Sequence, residues 1–263
     1  MHKDSTAKTL LVAFLLCLTC SVLVSTAAVK LKSRQVENKK LDIKKNLLLA
    51  SKLIKPTASK DEINEAYKNV EAKLVDLETG EFVTDMDPGS FDAVKASKDP
   101  KRNVIIPSDK DIAKIKRRSK IEKIYFVKEN GVIKQIVLPV NGKGLWSTLY
   151  GFMVLGTDTK TVLGLGFYQH GETAGLGGEV DNPKWKAQWA GKVAFDNDWN
   201  PVLKVVKGGV VEGTSTSQHE VDGLSGATIT GNGVTGLVNY WLGSHGFGSF
   251  LAKFRASQTQ GGM

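Results

Sequence analysis

The chain has 263 residues, 41% of them apolar and 24% charged, with 27 Gly, 7 Pro and 2 Cys. That balance excludes a disordered, collagenous or disulfide-stapled chain and leaves enough length to bury a sizeable core. The formal charge of +9 suits nucleic acid, an anionic membrane surface or a plain basic face. No nucleic-acid-binding motif accompanies it, so no nucleic-acid partner is expected.

Residues 1–8 form a short N-terminal tail with Lys3 and Lys8. From Thr9 to Val29 the run TLLVAFLLCLTCSVLVSTAAV carries no charge, and about 20 apolar residues are what an α-helix needs to cross a bilayer. Ser25-Thr26-Ala27 offers a small-residue cleavage site, but the run is longer than a usual signal core, and Lys30, Lys32 and Arg34 follow like a stop at the headgroups. Residues 9–29 therefore read as an uncleaved anchor. Basic residues after the span outnumber those before it, so the positive-inside rule alone puts the C-terminal flank in the cytoplasm. Cys17 and Cys20 lie within the apolar run, where they read as small apolar side chains. The rest of the chain has no cysteine, which excludes a thiolate-bound zinc or iron–sulfur site there.

Residues 36–55 set Leu41, Leu47, Leu48, Leu49, Leu53 and Ile54 among lysines, a pattern that predicts an amphipathic helix ending at Lys55 before Pro56. Ser59 and Glu62 have capping-box spacing and open a second helix with Ile63, Ala66, Tyr67, Val70 and Leu74 on one face. Gly80 to Ile121 is polar, and its basic cluster of Lys114, Lys116, Arg117, Arg118 and Lys120 reads as a solvated face or loop, with a membrane or inter-subunit contact as the alternative. Residues 30–120 are thus expected to be a helical connector and basic polar region.

From residue 121 the pattern changes to period two. Ile124 to Val127, a turn at Glu129-Asn130-Gly131 and Val132 to Val140 predict a hairpin, and Tyr150 to Leu155 with Val162 to Phe167 predict another. Asn182-Pro183-Lys184 opens a helix holding Trp185, Trp189 and Val193, and a last helix runs from about Thr230 to Gly243. The fold class is α+β: a single N-terminal transmembrane helix, then a soluble domain over 121–256 with a central antiparallel sheet flanked by helices. Residues 257–263 are expected to be a flexible tail.

Three glycine-rich stretches invite close approach of backbone to a ligand: Asn141 to Trp146, His170 to Gly178 and Asp222 to Gly233. Gly231, Gly233 and Gly236 match G-x-G-x-x-G, but no Asp or Glu follows Asp222, so the acidic ribose partner of a dinucleotide site is missing. Ser225, Thr228 and Thr230 instead place three hydroxyls at a helix start, where free N–H groups and the positive dipole end favour a phosphate. Thr228 and Thr230 are two residues apart and face different ways on a helix, so only one can meet a given phosphate. The glycines that follow lower helix stability, which suggests that something packs closely there.

Asp222-Gly223-Leu224-Ser225-Gly226-Ala227-Thr228-Ile229-Thr230 resembles, across all nine positions, the D-G-x-S-G-A-[ST]-x-T signature of domains that carry FMN covalently through a threonine phosphodiester. The apolar span, Gly144-Leu145-Trp146, the His170 to Gly178 loop and this motif together resemble the single-span, covalent FMN-binding family of the Na⁺-translocating NADH:quinone reductases, related to the flavin-bearing component of the Rnf complex. The resemblance implies an electron-relay flavoprotein with Thr230 as the attachment residue and Asp222, Ser225, Gly226, Ala227 and Thr228 around the phosphate. It also implies that Glu172, Thr173, Leu176 and Gly177 pack on the ring; Trp146 covers the ring or belongs to the core. Asp222 either orients the threonine hydroxyl or caps a turn, and His170 reads as structural. Implied partners are the other subunits of the reductase and a flavin transferase using FAD and Mg²⁺. The implied location is the bacterial inner membrane with the flavin domain on the periplasmic side, against the charge count. Folded domains are translocated despite moderate flanking charge, so the resemblance prevails. The alternatives are an equivalent Rnf component and an anchored module that holds an anion reversibly.

Overall fold

The computed structural model describes residues 5–260, and the expected tails beyond these limits lie outside the described residues. The chain divides into two compact units, Met1–Ile43 and Lys44–Met263. One helix, α1 (Thr6–Ala50), starts in the first and ends in the second, and it is long and apolar enough to cross a membrane. Two separate helices were expected here; the structure has one, and it stops at Ala50 instead of Lys55. The stop is a Schellman motif: Leu53 N–H donates to Leu48 C=O and Lys52 N–H to Leu49 C=O, with Lys52 left-handed at φ 56°.

The second unit continues with α2 (Lys60–Tyr67), β1 (Val70–Asp76), β2 (Phe82–Val83), the one-turn α3 (Ala93–Ala96), β3 (Asn103–Ile105) and β4 (Arg117–Ser119). Then come β5 (Ile121–Glu129), β6 (Val132–Lys143), β7 (Thr148–Gly156), β8 (Val162–Gln169), α4 (Pro183–Ala187), β9 (Lys204–Val205), β10 (Glu220–Val221), α5 (Thr228–Leu242) and α6 (Gly248–Gln260). Six strands form one antiparallel sheet in the order β2-β1-β5-β6-β7-β8. Asn130 and Gly131 both have positive φ, the two-residue loop that matches strand twist in the β5–β6 hairpin. The sheet therefore takes β1 and β2 from the stretch expected to be connector.

Alternation along the strands buries both sheet faces. On one face Ile124, Phe126, Leu138, Met153 and Phe167 join Leu237, Trp241, Phe250 and Phe254 of α5 and α6 in the main core, with the Phe126 and Phe254 rings stacked at 5.8 Å. Tyr125, Val137, Phe152 and Val154 fill the other face. There Gly166 admits the Ala50 methyl, and Gln135 donates to the Ser51 carbonyl at 3.2 Å.

The capping box forms as expected, with Ser59 Oγ accepting Glu62 N–H at 3.2 Å and Ser59 N–H donating to Glu62 Oε2 at 2.7 Å. The helix nevertheless ends at Tyr67, and Val70 and Leu74 belong to β1; a spacing of four satisfies a strand face as well as a helix face. Asn182 caps α4 by accepting Lys184 N–H, yet α4 stops at Ala187 and Val193 instead bridges to Thr161 beside β8. Arg118 of the basic cluster is buried, its guanidinium donating to Ser119 C=O at 2.9 Å, whereas Lys114, Lys116, Arg117 and Lys120 are exposed. The last helix is not α5 but α6, which continues through residues 257–260.

Gly233 and Gly236 are packing positions in α5, not a nucleotide loop. A Cβ on Gly233 would strike the Lys143 carbonyl at the end of β6, and one on Gly236 the Ile112 carbonyl. Gly236→Ala gains up to about 1 kcal/mol of helix propensity, but overpacking of this kind costs about 1–3 kcal/mol. The expected outcome is a lower thermal unfolding midpoint in the purified chain; an unchanged or higher midpoint would mean that α5 does not lie this close to the Ile112 backbone.

Candidate functional site

The three glycine-rich stretches meet on one carboxylate. Glu172 follows β8 and is 8% exposed. Its Oε1 accepts the Trp146 and Ser147 N–H groups, both at 3.0 Å, and its Oε2 accepts Leu145 N–H at 3.1 Å. The β6–β7 turn thus wraps around the anion. Oε2 also accepts the Thr230 hydroxyl from the first turn of α5 at 2.6 Å. Ser147 Oγ donates to Oε1 at 3.3 Å and accepts Gly171 N–H at 2.7 Å. Side chains at two glycines would prevent this approach: a Cβ on Gly144 would lie 2.7 Å from Glu172 Oε1, and one on Gly177 2.6 Å from Thr230 Oγ1.

Burial pulls the Glu172 carboxyl upward, but hydrogen bonds from Thr230, Ser147, Trp146 and Leu145 outweigh it and hold its pKa below the usual carboxylate value. Glu172 is therefore an anion at neutral pH.

The motif from Asp222 to Thr230 leads into α5. Gly226 is left-handed at φ 68°, and a Cβ on it would lie 2.9 Å from Leu176 Cδ2, so this glycine lets the His170 to Gly178 turn close on the motif. Ala227 occupies the N-cap, where no side chain caps the helix, and the first-turn N–H groups stay open to an anion. Ser225 and Thr228 are exposed beside them. Thr230 is 0% exposed and its hydroxyl is engaged. The two threonines point to different sides, as their spacing requires, about 200° apart around the axis.

Near this helix start stand four exposed apolar side chains, Trp146 at 67%, Ile229 at 57%, Leu176 at 44% and Leu145 at 41%. Trp146 is thus not a core residue: its backbone is held and its indole faces solvent. Thr173 shapes the turn through its carbonyl, which accepts the Leu176 and Gly178 N–H groups at 3.1 and 2.9 Å. Asp222 does not reach the threonine hydroxyls but holds the neighbouring loop, accepting Val210 N–H at 2.7 Å. His170 Nδ1 accepts Glu172 N–H at 3.2 Å, which leaves the proton on Nε2 to donate to Asp181 at 2.8 Å. Ser147 was not singled out in the sequence; it is an ordinary polar residue after a turn, and only the fold brings it to Gly171.

An uncapped helix start with two exposed hydroxyls suits a phosphate, and exposed indole and aliphatic surface beside it suits a planar ring. The FMN-binding domain family matches residues 144–243, the stretch that holds these features. The crystal structure of Shewanella oneidensis NqrC superposes with a TM-score of 0.77 at 34% identity, over 84% of this chain and 99% of that one. The chain is 46% identical over 259 residues to NqrC of the Na(+)-translocating NADH-quinone reductase of Pseudomonas aeruginosa, covering 98% of this chain and 99% of that protein. It is 44% identical over 263 residues to the same component of the Yersinia pestis reductase, covering 99% and 97%. The chain belongs to the NqrC family, one of the subunits of the Na⁺-translocating NADH-quinone reductase.

A carboxylate with a lowered folded-state pKa contributes stability above its unfolded value, and that stability is lost as pH falls through the folded value. Thr230→Val removes one donor to this anion, a loss of about 1.5–3 kcal/mol at neutral pH. The variant should unfold at lower temperature than wild type at pH 7, with the gap closing as pH falls below the ordinary carboxylate range. A gap that does not change with pH would mean that the Thr230 hydroxyl does not stabilise the Glu172 anion.

Proposed function

We propose that the domain carries FMN as a phosphodiester on the Thr228 hydroxyl and relays electrons between redox centres of the NADH-quinone reductase. The observation that carries this reading is the contrast within the motif: Thr228 is exposed at an uncapped helix start, whereas Thr230 is fully buried and donates to Glu172. Attachment at Thr230, which the resemblance implied, conflicts with that burial, because a transferase has to reach the hydroxyl it modifies.

Attachment uses FAD and Mg²⁺ on a flavin transferase. The Thr228 Oγ–P bond forms as the pyrophosphate bond of FAD breaks; AMP leaves, and a base on the transferase or water takes the hydroxyl proton. Bound FMN supplies reversible electron transfer. The first-turn N–H groups of α5 would stabilise the phosphate charge, Ser225 and Gly226 would help to hold it, and Trp146, Leu176 and Ile229 would shield a ring from water. The other subunits deliver and remove the electrons, while NADH oxidation, quinone reduction and sodium export belong to the whole complex. The family reading supports an inner-membrane protein with its flavin domain in the periplasm, where the transferase works.

The test is intact mass of the chain coexpressed and exported with an active transferase. Wild type and Thr230→Val should gain the mass of FMN, and Thr228→Ala should gain nothing. A gain in Thr228→Ala with none in Thr230→Val would return the attachment to Thr230, and no gain in any protein would leave a module that binds an anion reversibly. For topology, a C-terminal fusion to a reporter active only outside the cytoplasm should be active; a reporter active only in the cytoplasm would overturn the periplasmic placement.

A further inference from the structure

Given that flavin reading, we infer that Glu172 is the positioning residue of the site: its buried charge locks the Trp146 turn onto the first turn of α5 and sets the surroundings of the flavin. Its donors come from two places far apart in the chain, the 145–147 turn and Thr230. Glu172 itself belongs to the turn that carries Leu176, which closes on Gly226. The exposed side chains proposed to cover the ring are therefore referenced to one anchor. Lys143 Nζ adds to this by donating to the Trp146 carbonyl at 3.1 Å, so both polar backbone groups of Trp146 are held while its indole stays free.

The anchor also leaves charge behind. The groups that bond the Glu172 anion are hydroxyl and backbone N–H dipoles, and Lys143 engages the Trp146 carbonyl instead. A negative charge held by dipoles and not by an ion pair opposes the addition of electrons to a nearby group, and low local dielectric strengthens the effect. Glutamine cannot replace it, because an amide nitrogen would face N–H donors where the carboxylate now accepts on both oxygens.

The experiment is a spectroelectrochemical titration of the flavin in the full-length chain in detergent, with FMN content verified by intact mass, comparing wild type, Glu172→Gln and Thr230→Val. Glu172→Gln should raise the midpoint potential and shift the visible absorption band. Thr230→Val keeps the charge but cuts the tie to α5, so it should shift the band and move the potential less. An unchanged band and potential in loaded Glu172→Gln, or a lower potential, would overturn the inference. If Glu172→Gln does not fold, an unchanged band in Thr230→Val overturns it. A wild-type chain that carries no FMN refutes the flavin reading itself, and this inference with it; a loaded wild type with unaltered variants refutes only the role of Glu172.

Discussion

A desolvated carboxylate organises this domain. Taking a carboxylate out of water is costly unless donors replace its hydration, and Glu172 finds them only if the 145–147 turn and the first turn of α5 arrive together. Displacing either element strands part of an anion in a poorly solvated place. The same interaction thus fixes geometry and makes the geometry hard to relax.

The sheet makes the meeting possible. Lys143 pairs with Thr148, and Tyr150 with Gln169, so the β6–β7 turn and the exit of β8 lie at the same end of three adjacent strands. α5 then packs across the sheet by its glycine stripe, where Gly233 brings the helix backbone against the Lys143 carbonyl. A helix with side chains at these positions would stand off, and the Thr230 hydroxyl would not reach Glu172. The helix-weakening glycines are the condition for a close helix–sheet contact.

Two threonines in one motif have separate tasks because a helix turns between them. Thr230 faces inward and serves the anchor, while Thr228 faces outward beside the open N–H groups. The exposed hydroxyl is free to be modified, and the buried one ties the first turn of α5 to the fold. Trp146 shows the same division within one residue, with backbone groups bound and indole in solvent.

Much of this was legible in the chain. The apolar span, both hairpins, the capping box, the α+β class and the nine-residue motif depend on composition, period and local spacing, which act over a few residues. Helix ends were less legible: Val70 and Leu74 fit a strand as well as a helix, and Lys52 ends α1 from a conformation that nothing in a lysine announces. Beyond local reach the sequence was silent. That Glu172 meets Thr230 across 58 positions, that Asp222 holds a loop instead of a threonine, and that Arg118 is buried all depend on long-range packing. Spacing alone showed that Thr228 and Thr230 cannot face the same way; which of them faces the core was decided by the tertiary structure, because burial is a property of what packs against a helix and not of the helix itself.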